Sequence, residues 1–491
     1  MTDKNKREKF IIDTFFSSIS LIFQYLSVFV IMIFIVRNLK AFGYGIYSQF
    51  NTTLSLASVL ICLNLGHSMS RFFVGKRSMN YISNVFSSIY LVVLFISFLV
   101  GFGIVIFRLF LSNFLFGSHD YVLIVIFLAI ILIIKSLRSE NQAFLKARRK
   151  IKILSLIDSM YFISMTIMIV TLSTLTKNIF WIVGSIVLVE TITLLVTIFV
   201  VFKQGVRPMK PSPKLFFPLL KFGPPLLIAS LGYWFTQLSD RYLINYFNGI
   251  SEVGIYSLGY GIASILAVFW LVLDNIIFPD LSALYDLNKK KELEKRFTRI
   301  LKYGVAISLP SVLGIFVLAK PIVKIFSSGE FTDSYRILII ISIAMFFYGV
   351  FTHFSILLNV LKKVKALNLL WVFMAFTNIF LNILLIPKFG TMGAAYSTLI
   401  SFLFGMTAII FFSNFYFDVI FLKSWIVKIL ISSIIMGLVI RLIPVDSLVG
   451  LISTILIGTF IYAGMLLFLK FYDRSELSLI KEIVARKYKS S

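Results

Sequence analysis

Polar residues recur at helical spacing along otherwise apolar stretches of this chain. The pattern is sharpest between Lys214 and Ser257. There Ser230, Trp234, Gln237 and Arg241 follow at steps of four, three and four, with Asp240 beside Arg241. Those steps place the four on one face of a helix. A basic, proline-interrupted start precedes them: Lys214, Pro218, Lys221, Pro224, Pro225. A stripe of the same kind, Asp13, Ser17, Ser20, Gln24 and Ser27, crosses the first apolar stretch. Two more are Ser48, Asn51, Ser55, Ser58, Cys62 and Tyr348, Thr352, Ser355, Asn359. Apolar stretches near 10–36, 44–66, 81–107, 121–144, 151–175, 179–202, 215–247, 252–280, 297–319, 332–361, 366–387, 391–416, 424–443 and 447–470 predict fourteen helices. Each can cross a bilayer core of roughly 30 Å.

Composition agrees. Hydrophobic residues make up 59% and charged residues 14% of the 491, against about a quarter charged in a soluble domain. The expected fold is an all-α polytopic membrane protein in the cytoplasmic membrane. With the N-terminus inside, the inner segments carry 37 of the 47 Lys and Arg, as the positive-inside rule requires. Both termini are then cytoplasmic. The net charge of +26 reads as basic inner loops facing anionic lipid, not as a nucleic-acid surface. The basic N-terminus (Lys4, Lys6, Arg7, Lys9) leads into an apolar run longer than a signal-peptide core, which predicts a retained first span.

An internal repeat organises the chain. Gly45-Ile46-Tyr47-Ser48 returns as Gly254-Ile255-Tyr256-Ser257, and Gly184 returns as Gly393, both at an offset of 209. The expected domains are 1–205 (helices 1–6), 206–418 (helices 7–12) and 419–491, two further helices with a basic tail. Parallel repeats are a transporter signature, with the substrate site between the halves.

Charges inside spans are costly and mark either structural pairs or functional sites. Lys135, Arg138 and Glu140 lie in helix 4, Asp158 in helix 5, Glu190 in helix 6, Asp240 and Arg241 in helix 7 and Asp274 in helix 8. Glu190 is close to mid-membrane; a structural acid and a cation or proton site are both open readings. Asp13 and Asp274 stand near inner helix ends, where a snorkelling side chain costs little. The serine stripe of helix 2 is open to two readings, helix packing or a wet wall. Cys62 is the only cysteine and the three His (His67, His119, His353) are scattered, so neither a disulfide nor a metal site is expected. No phosphate-binding GxxxxGK[ST] loop is present; no cofactor is predicted, and no enzyme activity.

Arg37-Asn38-Leu39 with Gly43-Tyr44-Gly45-Ile46-Tyr47-Ser48, Asp240-Arg241 with Glu252-Val253-Gly254-Ile255-Tyr256-Ser257, Phe278-Pro279-Asp280-Leu281-Ser282, and Ile386-Pro387-Lys388-Phe389-Gly390 with Gly393-Ala394-Ala395 stand in order over about residues 10–416. In that order they resemble the polysaccharide exporter family, flippases for lipid-linked oligosaccharides within the multidrug, oligosaccharidyl-lipid and polysaccharide exporter superfamily. The resemblance implies a two-lobed bundle working by alternating access on a polyprenyl-diphosphate-linked oligosaccharide. Helices 13 and 14 are like those of the fourteen-helix members. Candidate cargo-binding residues are Arg241, Gln237, Trp234, Gln24, Lys135 and Arg138; Asp240 and Glu190 are candidates for coupling to H⁺ or Na⁺. Membrane lipids and polysaccharide polymerase machinery are further candidate partners. Two rival readings are a multidrug antiporter of the same superfamily and a membrane-embedded polymerase; short outer loops argue against the second.

Overall fold

The computed structural model of the chain describes residues 3–73, 78–210, 218, 227–418 and 424–472. Lys214, Lys221, Pro224 and Pro225, and the basic tail from 473 on, lie outside the described residues.

The described residues form an all-helical chain. Its helices are α1 Asp3–Cys62, α2 Leu65–Phe72, α3 Met79–Ile106, α4 Arg108–Phe116, α5 Val122–Ala147, α6 Ile151–Leu175 and α7 Ile179–Lys203. After these come α8 Leu227–Leu238, α9 Asp240–Asn248, α10 Ile250–Ala263, α11 Ile265–Asp286, α12 Lys290–Phe326 and α13 Ser334–Val360. The last four are α14 Val364–Phe389, α15 Thr391–Asn414, α16 Ser424–Arg441 and α17 Leu448–Phe468. Twelve helices among the described residues are long and apolar enough to cross a membrane. One of them is the 48-residue stretch Phe15–Cys62 of α1, about 72 Å long at 1.5 Å per residue. That is more than twice the bilayer core, so α1 holds the first two predicted spans. It breaks at Lys40, whose φ of 60° and ψ of −168° leave helical geometry. The seventh predicted span is divided at Ser239 into α8 and α9, and the eighth at Ser264 into α10 and α11.

Three segments read as loops are helical instead. The predicted outer connection near 108–120 contains α4, closed by Gly117 at φ 76°. The inner connection after residue 66 contains α2. Helix α12 continues to Phe326, well past the predicted end at 319. Helix α12 runs on through Pro321, while α2 and α4 restart after short breaks at Asn64 and Phe107. Side-chain caps do mark several starts: Ser78 accepts from the Tyr81 amide, Asn178 from Phe180 and Ser447 from Gly450.

The chain divides into two compact units. The first is Met1–Leu258 with Trp371–Ala394; the second is Gly259–Leu370 with Ala395–Ser491. In the first, α1 lies along α6, while α3 and α7 flank α5. In the second, α12 contacts α11, α13 and α16, and α17 packs on α16. Helix α3 shows how the bilayer orders a face. It buries Ser83, Ser87, Ser88, Ser97 and Gly101 and exposes Phe95, Phe98, Leu99 and Phe102. Small residues let helices approach, and large apolar ones meet lipid, the reverse of a soluble core.

Within the first unit the two Gly-Ile-Tyr-Ser strings meet each other. Ser48 and Ser257 hydroxyls are 2.6 Å apart across 209 positions. A Cβ on Gly45 would overlap the Ile250 carbonyl, and one on Gly254 would overlap the Ala41 carbonyl. Ile250 stands 209 beyond Ala41, so the two contacts are reciprocal, as across a two-fold axis. The second pair of glycines is not alike. Gly393 has the Leu385 backbone at close quarters, whereas Gly184 meets only the Phe127 ring at ordinary contact distance.

Candidate functional site

Two buried polar clusters form inside the first unit, each around an arginine. The first joins α5, α6 and α7. Helical spacing puts Arg138 on the buried face of α5, together with Leu137, Asn141 and Phe144. Its Nε lies 2.8 Å from Glu190 Oε2 on α7, and its Nη2 donates to Oε1 at 3.2 Å. Tyr161 on α6 donates its hydroxyl to the same Oε1 at 2.9 Å, and the guanidinium stacks over that tyrosine ring at 4.2 Å. Glu190 is 1% exposed. Around this core, Asn141 donates to Thr197 at 3.1 Å and Gln142 to Asp158 at 2.6 Å. Lys135 sits one turn before Arg138 on α5, half-buried.

The second cluster is built at the break between α8 and α9. Ending α8 at Ser239 lets Asp240 start a new helix, where a carboxylate at the first turn is favoured. Asp240 Oδ1 accepts from the Arg241 backbone N–H and from its guanidinium Nη1, both at 2.9 Å. Nη1 also donates to the Gln237 carbonyl at 3.0 Å. The Tyr256 hydroxyl donates to the other carboxylate oxygen, and the guanidinium lies 5.7 Å from the centre of its ring. Asp240, Arg241 and Tyr256 are all buried. Polar bonds tie this seam to α1 and the turn that follows it: Trp234 Nε1 to Ser55 at 2.9 Å, Tyr242 to Thr53 at 2.8 Å, and Asn64 to Ser230 at 3.0 Å.

The candidate residues are therefore brought together in pairs of opposite charge. Arg138 holds Glu190, and Arg241 holds Asp240. The Gln237 backbone joins the second pair, and Trp234 bonds Ser55 on α1. Gln24 is half-buried on α1 outside both clusters. In the serine stripe of α1, Ser48 and Ser55 bond other helices while Ser58 bonds back to Leu54. Sequence reasoning missed Tyr161 and Tyr256 as the hydroxyls that complete each carboxylate. Tyr161 lies three positions after Asp158, and Tyr256 lies within the repeated string; either was a usable signal. Among other buried polar atoms without a hydrogen-bond partner are both amide atoms of Gln49 and Oε2 of Glu140, the latter close beside Gly66. Among the described residues no group of His, Cys, Asp or Glu suited to a metal comes together.

Ion pairs inside membrane spans are rare and mark either structural pairs or a path for something polar. The chain belongs to the polysaccharide biosynthesis protein family, which matches residues 34–336. It is 26% identical over 262 residues to a probable low-salt glycan biosynthesis flippase of Haloferax volcanii, covering 52% of this chain and 56% of that one. It is 28% identical over 182 residues to the lipid II flippase of Thermosipho africanus, covering 36% of this chain and 37% of that one. The matches thus span about half or less of these relatives' lengths. A solved lipid II flippase in an inward closed conformation shares the fold, with a TM-score of 0.77 at 18% identity over 92% of this chain and 98% of that one. An inward-facing multidrug resistance transporter of the MATE family matches at a TM-score of 0.69 and 14% identity, covering 80% and 94%. The chain is a multi-pass protein of the cell membrane.

Proposed function

We propose that this protein flips a polyprenyl-diphosphate-linked oligosaccharide across the cell membrane by alternating access, supplying polysaccharide biosynthesis. The observation that carries the reading is the pairing of Arg138 and of Arg241 with a buried carboxylate. A sugar headgroup cannot enter hydrocarbon unaided, because each unsatisfied hydroxyl costs several kcal/mol. Its diphosphate needs a cation, and arginine binds phosphate bidentately. In the state described here Arg138 and Arg241 are held by Glu190 and Asp240. The diphosphate would exchange for the carboxylate on an arginine, and the released carboxylate would take up H⁺ or Na⁺. One exchange thereby links cargo to ion and avoids leaving a bare charge in oil. Trp234 and Gln237 line the same seam and are the candidates for sugar contact, with Lys135 and Gln24 as further polar positions. An inside-negative potential assists anion export by about 2.3 kcal/mol per charge per 100 mV. Homology to named flippases supports this reading over drug export; the shared fold of the multidrug transporter keeps that alternative in the test.

The test is flipping of a fluorescent polyprenyl-diphosphate sugar in proteoliposomes. Wild type is expected to flip it, R241A and R138A to lose at least tenfold in rate, and a cationic drug to be left untransported. Undiminished flipping in both variants would sink the cargo assignment.

A further inference from the structure

We infer that Asp274 and His353, in the second unit, form a proton-binding pair that links α11 to α13. Neither residue belongs to the clusters above. His353 is fully buried, and its Nδ1 lies 2.7 Å from Asp274 Oδ1, whose side chain is 14% exposed. Its other ring nitrogen, Nε2, faces the Phe297 carbonyl at 3.5 Å. Both nitrogens thus face oxygens, the Phe297 carbonyl and the Asp274 carboxylate, and with Asp274 ionised both oxygens only accept. A neutral imidazole has one N–H and one lone pair, so one nitrogen would confront an acceptor with a lone pair. An imidazolium donates to both, and the Asp274 carboxylate balances its charge. The arrangement is built for the ring with its second proton in place. Losing that proton leaves an uncompensated carboxylate within a span, and such a charge costs several kcal/mol in low dielectric.

The surroundings make the proton the natural ligand. The imidazole is stacked on Phe297 of α12 at 4.4 Å and lies 5.6 Å from Trp270 of α11. From α11 the facing titratable group is Asp274; from α12 the ring meets Phe297 itself. The next cations along α12 are engaged elsewhere, Arg296 with Asp280 and Glu292, and Lys302 over the rings of Tyr303 and Phe471. No phosphate or sugar fits between packed aromatic rings. Trp270 Nε1 is buried in the same seam with no hydrogen-bond partner, which marks a polar contact left incomplete in this state. Trp270 is held close by Gly304 and Gly349, where any Cβ would overlap the indole. Protonation therefore sets the bond between α11 and α13 across a tightly packed three-helix seam. In a transporter such a bond couples proton uptake to the motion of those helices.

The coupling part rests on the flippase reading above; the proton site does not. The first measurement uses the full chain with His67 and His119 replaced by Asn, both being exposed. In lipid nanodiscs ¹⁵N-histidine NMR then reports His353 alone. The expected spectrum is that of an imidazolium with both ring nitrogens protonated. A neutral tautomer at every pH from 5 to 9 would overturn the proposal. The second measurement is flipping in proteoliposomes under an imposed pH gradient. D274N and H353N are expected to retain flipping without a gradient and to lose the acceleration that the gradient gives wild type. Acceleration equal to wild type in both variants overturns the coupling. Wild type that flips no polyprenyl-diphosphate sugar overturns the cargo reading instead, and the NMR result then decides the proton site by itself.

Discussion

Arg138 and Glu190 show how a residue behaves when the solvent is oil. Neither charge is tolerable there alone, so the energetics belong to the pair. R138M should cost about 3–5 kcal/mol, because it strands a buried carboxylate. The R138M/E190L double variant should recover much of that loss. Thermal unfolding in detergent reads both, and a double variant no more stable than R138M would contradict the pairing. The charges themselves were legible in the sequence, since a charge inside an apolar run stands out. Their partners were not. Glu190 lies 52 positions from Arg138, and the tyrosine that completes the cluster lies 29 positions from Glu190. Alone, Asp274 suggests a snorkelling side chain; its histidine partner is 79 positions away.

At the scale of elements, breaks matter as much as helices. Lys40 occupies a conformation reserved almost wholly for glycine, and such a residue stores about 1–3 kcal/mol. K40G should therefore raise the unfolding midpoint, and a lower midpoint would show that Lys40 is held by more than its backbone. The close approach of Gly45 to Ile250 and of Gly254 to Ala41 has no room for a methyl group. G45A and G254A should each cost about 1–3 kcal/mol through overpacking, read by the same melting experiment, and an unchanged midpoint in both would refute the contact. The repeated strings were visible in the sequence; that they touch was not. Helices α2 and α4 escaped notice because their runs of eight and nine residues lack the length of a span.

At the scale of the whole molecule, the placement of Lys and Arg predicts the orientation in the membrane. If both ends face the cytoplasm, Lys363 lies inside and Lys177 outside. With the single cysteine removed by C62S, an impermeant thiol reagent added to intact cells should label K177C and spare K363C. Labelling of K363C instead would reverse the topology.

From its residues alone the chain declared that it lives in a bilayer, where its spans lie, that its ends should be inside, and that two strings recur at a spacing of 209. Apolar length and loop charge are local properties, so they can be read along one dimension. Which carboxylate meets which arginine, which hydroxyl completes each pair, and where a histidine finds two oxygens were decided only in three dimensions. In lipid no hydrophobic force drives helix against helix, so the rotation and depth of each helix follow from packing of small residues and polar bonds summed over all its neighbours.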